Sequence, residues 1–319
     1  MIPSASGLLR MANPVLRLPG VYRRVLAQSV AVFVYHEVSE NPSPFNRQFG
    51  LNVQPDTFAL QMEMIRERFT LLHPPELLYG GFRRPVALIT FDDGNASYFT
   101  NALPILKRMK IPSLAFLNMG TVRGEVCWSG LATYLQQHEP GFRAGWTRAP
   151  SGDDYVRFTE PEVARYLERV DAEALLAKVR AFRGQIASLE EVEAASREPL
   201  LYLGNHLYQH HNATLLTNGQ LEEAYLKNQE VLDQFPRGLR FVGYPFGRGD
   251  RTTHARLFGL GAQALFLGGG VPNFHLGGRC FARIPMTDGV VDEHSLAQAM
   301  VQNILPEFCR SWIGGGYAN

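Results

Sequence analysis

Short apolar runs alternate with longer amphipathic stretches along most of the chain. Val30–Tyr35 (VAVFVY) and Val86–Phe91 (VALITF) are compact runs of β-branched and aromatic residues, the pattern of a strand buried on both faces. SLAFLN (113–118), LLYL (200–203) and QALFL (263–267) read the same way. Between them the period lengthens. FALQMEMIRERF is helical in period and starts behind Asp56, which the pattern makes its cap. Ala96–Met109 is helical with Pro104 near its start, and another helix runs from Thr217 to Phe235. Strand, helix and strand at this spacing make βαβ units and a parallel sheet.

The block from about 121 to 199 breaks this rhythm. It carries a short helix within Cys127–Gln137, a capping box of Thr159 and Glu162, and two further helical stretches, DAEALLAKVRAF and IASLEEVEAASRE. With no strand signal, it reads as a helical insertion or lid on one domain spanning 30–319. A last helix is expected from about Glu293 to Ile304. Residues 1–29 form a separate arm.

Composition narrows the class. A 319-residue chain with 45% hydrophobic residues can bury a sizeable core. Lys and Arg number 31 against 30 Asp and Glu, so bulk charge gives no support for nucleic-acid binding. Cys127, Cys280 and Cys309 are odd in number and form no CxxC, which suits free thiols in a reducing compartment. Arg10, Arg17, Arg23 and Arg24 interrupt the apolar stretches of the arm, which is therefore not expected to be an export signal. The expectation is a cytoplasmic protein, with residues 8–26 able to touch the anionic inner membrane surface. A helical arm packed on the domain is the alternative.

The chemistry gathers at strand ends. Val86–Phe91 delivers Asp92 and Asp93 at its tip, with Gly94 permitting the turn. Adjacent carboxylates repel each other, and such a pair persists most easily when a cation holds one and the other has a separate task. His206, His210 and His211 lie together after another predicted strand, in a chain with nine histidines. In a helix or tight turn, His206 and His210 project to one side and can chelate a divalent metal. Taken alone, H-x-x-x-H is more often a surface or core pair, but here both clusters can meet at one sheet edge. One carboxylate and two imidazoles leave positions open for water, and the second carboxylate is free to take a proton.

TFDDG (90–94), GNHLYQH (204–210) and GYPFG (243–247) together resemble the polysaccharide deacetylase family, carbohydrate esterase family 4, also called the NodB-homology domain. The resemblance covers about 30–120 and 200–290. It implies a distorted (β/α) barrel, often of seven strands, with Asp92 as catalytic base and Asp93, His206 and His210 as metal ligands. Leu207 replaces the usual hydroxyl residue of the metal motif. Gly243 stands where the family has an Arg that orients the catalytic Asp, while Tyr244, Pro245, Phe246 and Gly247 keep a YPFG form similar to poly-N-acetylglucosamine deacetylases. That branch also begins with an apolar strand ending in Tyr-His, here Tyr35 and His36, and implies His36 as the general acid. Read without the resemblance, His36 is a strand-end histidine satisfied by backbone groups. His275, His254 and His294 are weaker candidates.

The resemblance thus implies a metal-dependent hydrolase that removes an N-acetyl group from an amino sugar of a cell-surface polysaccharide or its cytoplasmic precursor. One divalent metal is expected, Zn²⁺ first, with Co²⁺, Ni²⁺ or Fe²⁺ also compatible with the ligand types. Tyr244, Pro245, Phe246, Arg283 and His211 are candidate substrate-binding or supporting residues. For Arg283 a packed or solvated surface residue is the alternative, and for His211 a structural role. Competing functions are a catalytically impaired carbohydrate-binding homologue, and a metal-dependent amidase or phosphodiesterase on a non-sugar substrate.

Overall fold

The structure, a computed structural model, describes residues 30–79, 85–144, 160–269 and 278–300. The arm at 1–29, Thr159, His275 and Cys309 lie outside the described residues.

Seven parallel strands close into a barrel: β1 (Val30–Tyr35), β5 (Val86–Phe91), β6 (Ser113–Leu117), β7 (Leu201–Asn205), β8 (Gly238–Gly243), β9 (Ala264–Gly268) and β10 (Cys280–Pro285). Closure is made by β1, which pairs β10 on one side and β5 on the other. The register Val30↔Val86 through Tyr35↔Phe91 puts the ends of β1 and β5 at the same height. The parallel sheet is the one expected from the apolar runs, and its closure is the (β/α)7-type barrel that the resemblance implied. A two-residue strand, β4 (Thr70–Leu71), flanks the start of β5, and β2 (Glu37–Val38) pairs with β3 (Asn52–Val53) beside the top of β1.

Side-chain alternation fixes what each strand delivers. Val30, Val32, Val86, Leu88, Leu114, Phe116, Phe241, Phe266 and Phe281 fill the barrel interior. Ala31, Phe33, Ile89, Phe91, Leu201 and Leu203 face outward against helices, as do Val242, Tyr244 and Leu265. Continuing the inward register, four residues past Val32 and Leu88 and two past Phe281, points His36, Asp92 and Arg283 over the top of the barrel, where His206 follows the end of β7.

The helices differ from expectation at their ends. α1 (Pro44–Gln48) lies in the connection from β2 to β3. In α2 (Pro55–Arg68) the cap is Gln54, not Asp56, which sits inside the first turn. Pro55 takes the first helical position, where its missing N–H leaves nothing unsatisfied. After a π turn at Tyr98–Ala102, α3 (Leu103–Met109) accepts Pro104 in its first turn. Between β6 and β7 run α4 (Met119–Val122), α5 (Trp128–His138), α6 (Pro140–Ala144), α7 (Glu160–Leu167), α8 (Ala172–Arg183) and α9 (Leu189–Ala195). Asp171 caps α8, and Ser188 with Glu191 caps α9. α10 (Asn218–Leu232) and α11 (Arg251–Gly259) follow β7 and β8. The last described residues, 293–300, are helical. Among the described residues no helix is long and apolar enough to cross a membrane.

Candidate active site

The TFDDG turn sits at the C-terminal end of β5. Asp92 N donates to Tyr35 O at 2.9 Å, and the chain then turns through positive φ at both Asp93 and Gly94, 73° each. An aspartate accepts that conformation better than most residues, and the turn sends the two carboxylates in different directions. Both are buried, Asp92 4% exposed and Asp93 3%.

Each carboxylate has its own guanidinium. Arg283 Nη1 donates to Asp92 Oδ1 at 2.6 Å, and Arg183 Nη2 donates to Asp93 Oδ2 at 2.7 Å. Burial alone would raise both carboxyl pKa values. For Asp92 it is outweighed by Arg283, His206 and His36, leaving the group below the usual range. For Asp93 it is outweighed by Arg183 and the neighbouring imidazoles, which hold the group well below that range. Both are therefore ionised at neutral pH.

The histidine segment after β7 is not helical. His206 is still in strand register, its N–H bonded to Leu117 O at 3.1 Å, and the chain then passes through positive φ at Leu207 (58°) and His210 (66°). The side chain of Asn118 donates to the carbonyls of His206 and Leu207, and Asn205 Oδ1 accepts from Leu207 N at 2.9 Å. These bonds bring the two rings together, 4.8 Å apart and edge to face.

His206 Nδ1 lies 2.7 Å from Gly243 O. A carbonyl can only accept, so Nδ1 carries a proton, and in the tautomer this fixes Nε2 offers a lone pair. That lone pair lies 3.3 Å from Asp93 Oδ1, and His210 Nε2 lies 3.0 Å from the same oxygen. His206 Nε2 and Asp93 Oδ1 are both buried without a hydrogen-bond partner. One carboxylate oxygen and two imidazole nitrogens facing one another make a donor set that suits a cation. Donors about 2.1 Å from one ion, at tetrahedral or right angles, lie roughly 3.0–3.4 Å from each other, which fits both separations. Asp93, His206 and His210 are the group among the described residues whose ligand atoms converge in this way.

A cavity of about 540 Å³ opens above this group. His36, Asp92 and Arg283 line it, with Phe45, Phe49 and Leu51 as an apolar wall and Phe246 and Arg248 opposite. His36 is half-buried; desolvation lowers its pKa, with Asp93 and Asp92 opposing the shift.

The supporting residues divide. Phe246 lines the cavity and packs its ring 4.8 Å from His210, while Arg283 is bonded to Asp92. Tyr244 and Pro245 do not line the cavity. Strand alternation turns Tyr244 to the outer face, fully buried near the ring of His254, and burial pushes its hydroxyl pKa up. His211 also lies away from the cavity, stacked 4.7 Å from Trp128, and burial pulls its pKa down to about 4.

Gly243 is explained by the barrel interior. A side chain at 243 would point inward, and a Cβ there would meet Phe116 Cγ at 2.7 Å. The Phe116 ring fills that space, and the guanidinium of Arg283 lies over it, 5.5 Å from its centroid. The arginine that holds Asp92 thus comes from β10 rather than β8. The alternation in CFARIP, with Phe281 and Arg283 on one face, is the sequence signal for it. Arg183, Asn95 and the Gly243 carbonyl were not anticipated from sequence.

Fold and site together define a parallel-barrel protein with a carboxylate–imidazole cluster of the cation-ligand type and a separately held second carboxylate. Residues 80–265, more than half of the chain, match the polysaccharide deacetylase family, and the chain belongs to that family. No protein of curated function matches it in sequence. Among solved structures it is similar to the deacetylase PplD of Streptococcus pyogenes in complex with acetate, with 15% identity, TM-score 0.57 and coverage of 87% of this chain and 99% of that one. IcaB from Ammonifex degensii matches with 18% identity and TM-score 0.57, over 86% and 97%. A de-N-acetylase from Aggregatibacter actinomycetemcomitans matches with 13% identity and TM-score 0.56, over 85% and 99%. At these identities the likeness is one of fold.

Proposed function

We propose that the protein is a metal-dependent hydrolase that removes the N-acetyl group from an amino sugar, in a cell-surface polysaccharide or its cytoplasmic precursor. The observation that carries this reading is the separation of two adjacent carboxylates, Asp93 turned to two imidazoles and Asp92 turned to Arg283 and the cavity.

Asp93, His206 and His210 would hold the cation, Zn²⁺ first for one oxygen and two nitrogen donors, with Co²⁺, Ni²⁺ or Fe²⁺ fitting the same set. When bound, it would supply Lewis-acid polarisation of the amide carbonyl and a more acidic water. Asp92, ionised and fixed by Arg283, takes the proton of the attacking water. His36 directly follows the neighbouring strand β1 and hands a proton to the departing amine. Phe45, Phe49 and Leu51 offer an apolar wall to the carbon face of a sugar ring. Gly243 in place of an arginine was the reason to consider a site without activity, and Arg283 on Asp92 removes that reason.

The test is acetate release with added Zn²⁺ from N-acetylglucosamine oligomers, nucleotide-linked N-acetyl sugars and lipid-linked N-acetyl glycans. Release from one class identifies the substrate. No release from any of the three would refute sugar N-deacetylation, and release from non-sugar N-acetyl amides alone would move the activity to an amidase.

A further inference from the structure

The helices between β6 and β7 contain no residue of the family motifs, yet one of their side chains reaches the centre of the site. Arg183, the last residue of α8, is 2% exposed. Its Nη2 donates to Asp93 Oδ2 at 2.7 Å and its Nη1 to Asn95 Oδ1 at 3.0 Å. The oxygen it occupies is the one turned away from the two histidines, so the bond leaves Oδ1 facing them.

Two nitrogens of the fork are bonded, and the third, Nε, is buried without a hydrogen-bond partner. The guanidinium carbon lies 4.8 Å over the ring centroid of Phe45. Asn95 Oδ1 also accepts from Asn46 Nδ2 at 3.3 Å, and Asn95 Nδ2 donates to His36 O at 3.1 Å. One amide therefore ties Arg183, α1 and the strand end that carries His36. The aliphatic stem runs past Gly130 of α5, where a Cβ would lie 3.0 Å from Arg183 Cβ and 3.1 Å from its Cγ and Cδ. A glycine in this helix costs helix propensity, and here it makes room for the arginine.

We propose that Arg183 is a positioning residue for the cation ligand Asp93, which makes the helical insertion part of the metal site rather than a lid above it. The proposal rests on the metal reading given above. Outer-shell partners of ligating groups fix ligand orientation. A planar fork shared between Asp93 and Asn95 has no equivalent in a lysine, which can reach one of them but not hold both. Arg183→Lys keeps the charge, so a change in cation affinity reads orientation rather than Coulomb attraction.

The experiment measures Zn²⁺ affinity of the full chain by competition with a chromophoric chelator, beside the thermal midpoint of the metal-free protein. R183K is expected to bind Zn²⁺ about 10- to 100-fold more weakly. Gly130→Ala touches neither Asp93 nor the histidines and keeps Arg183, but it displaces the stem. It is expected to weaken Zn²⁺ binding in the same direction, with the helix propensity of alanine offsetting part of the overpacking cost to the metal-free midpoint. A purely structural role would lower the midpoints and leave the affinities alone. Wild-type affinity in R183K overturns the proposal. If R183K does not fold, wild-type affinity in G130A overturns it. His206→Ala separates the two readings: if it retains wild-type affinity, the metal site itself is misassigned and the role of Arg183 falls with it, whereas loss in H206A with no loss in R183K sinks only Arg183.

Discussion

Replacing Arg283 with methionine removes the guanidinium from Asp92 while keeping much of the side-chain volume over Phe116. Both partners are buried, 2% and 4% exposed, and joined at 2.6 Å. Unit charges about 4 Å apart attract by about 4 kcal/mol at an effective dielectric near 20. Breaking a buried pair from one side costs about 3–5 kcal/mol, because the remaining charge is left uncompensated. Arg283→Met should lower unfolding free energy by that amount at neutral pH, with less loss where Asp92 can protonate. The kinetic effect has a sign of its own. In the wild type, burial raises the Asp92 pKa and Arg283 leads the groups that lower it, so the base is charged well into the acid range. Without Arg283, burial prevails and the carboxyl pKa rises. The acid limb of kcat/KM against pH should therefore move toward neutrality, and the deficit should shrink as pH increases. Arg283→Lys keeps a charge without the same geometry; its limb should stay near that of wild type while the plateau falls by about 10- to 100-fold, the usual effect of losing an outer-shell partner. Acetate release over a pH series, with urea denaturation of the same proteins, measures both. An R283M acid limb and plateau that coincide with wild type would refute the assignment of Arg283 to Asp92.

Asp92→Asn should abolish acetate release and still take up Zn²⁺, whereas His206→Ala should lose both, measured by acetate assay and metal analysis. His36→Gln should lower kcat by about 10²- to 10⁴-fold, the usual contribution of a general acid, with Zn²⁺ affinity little changed. His211, with its pKa pulled from 6.5 to about 4, binds its proton less readily folded than unfolded. Its stabilising contribution is complete above pH 6.5 and declines as pH falls toward 4, by about 3 kcal/mol in all at 1.36 kcal/mol per unit. His211→Gln should flatten that part of the stability profile of the metal-free protein; an unchanged slope from pH 6.5 to 4 would contradict the burial argument. Gly243→Ala should cost about 1–3 kcal/mol by overpacking Phe116 and, by moving the carbonyl that fixes His206, should weaken Zn²⁺ binding as well.

The parallel sheet was legible because its strands are buried on both faces and therefore appear as unbroken apolar runs, whereas its closure into a barrel came only from the family resemblance; VAVFVY and VALITF coincide with β1 and β5. Strand ends were also legible as sites, since a polar residue directly after such a run has only the rim of the sheet to occupy. Helix starts were less secure. Asp56 looks like a cap, but Pro55 claims the first helical position and shifts the boundary back. The i, i+4 spacing of His206 and His210 left a helix or a tight turn open, and their convergence is made by a turn with two residues at positive φ, held by the side chains of Asn118 and Asn205. Nothing local reports those long-range amide bonds. Tyr244 was misplaced because its motif was read without its strand: counting alternately from Phe241 turns it outward. Arg283 was recoverable by the same count from Phe281. Arg183 was not, since a basic residue in the last turn of an amphipathic helix is ordinarily a surface residue facing the negative end of the helix dipole.

The unresolved point in the sequence was how two neighbouring aspartates survive burial when the expected arginine is a glycine. The structure answers with two arginines, one from the last barrel strand and one from the helices between β6 and β7, each donating to a different carboxylate. Charge is balanced before any cation arrives, so neither aspartate has to take up a proton to be buried. The two guanidiniums also break the symmetry of the pair. Arg183 takes the Asp93 oxygen that faces away from the histidines, which leaves Oδ1 directed at the two imidazoles. Arg283 approaches Asp92 from the cavity wall, which leaves its second oxygen, 3.9 Å from His206 Nε2, at the edge of the same space. The proposed ligand and the proposed base are adjacent in sequence and chemically alike. What makes them different is which distant strand or helix supplies the partner, and exchanging either arginine should therefore alter one function of the pair without the other: cation affinity for Arg183, the pH dependence of turnover for Arg283.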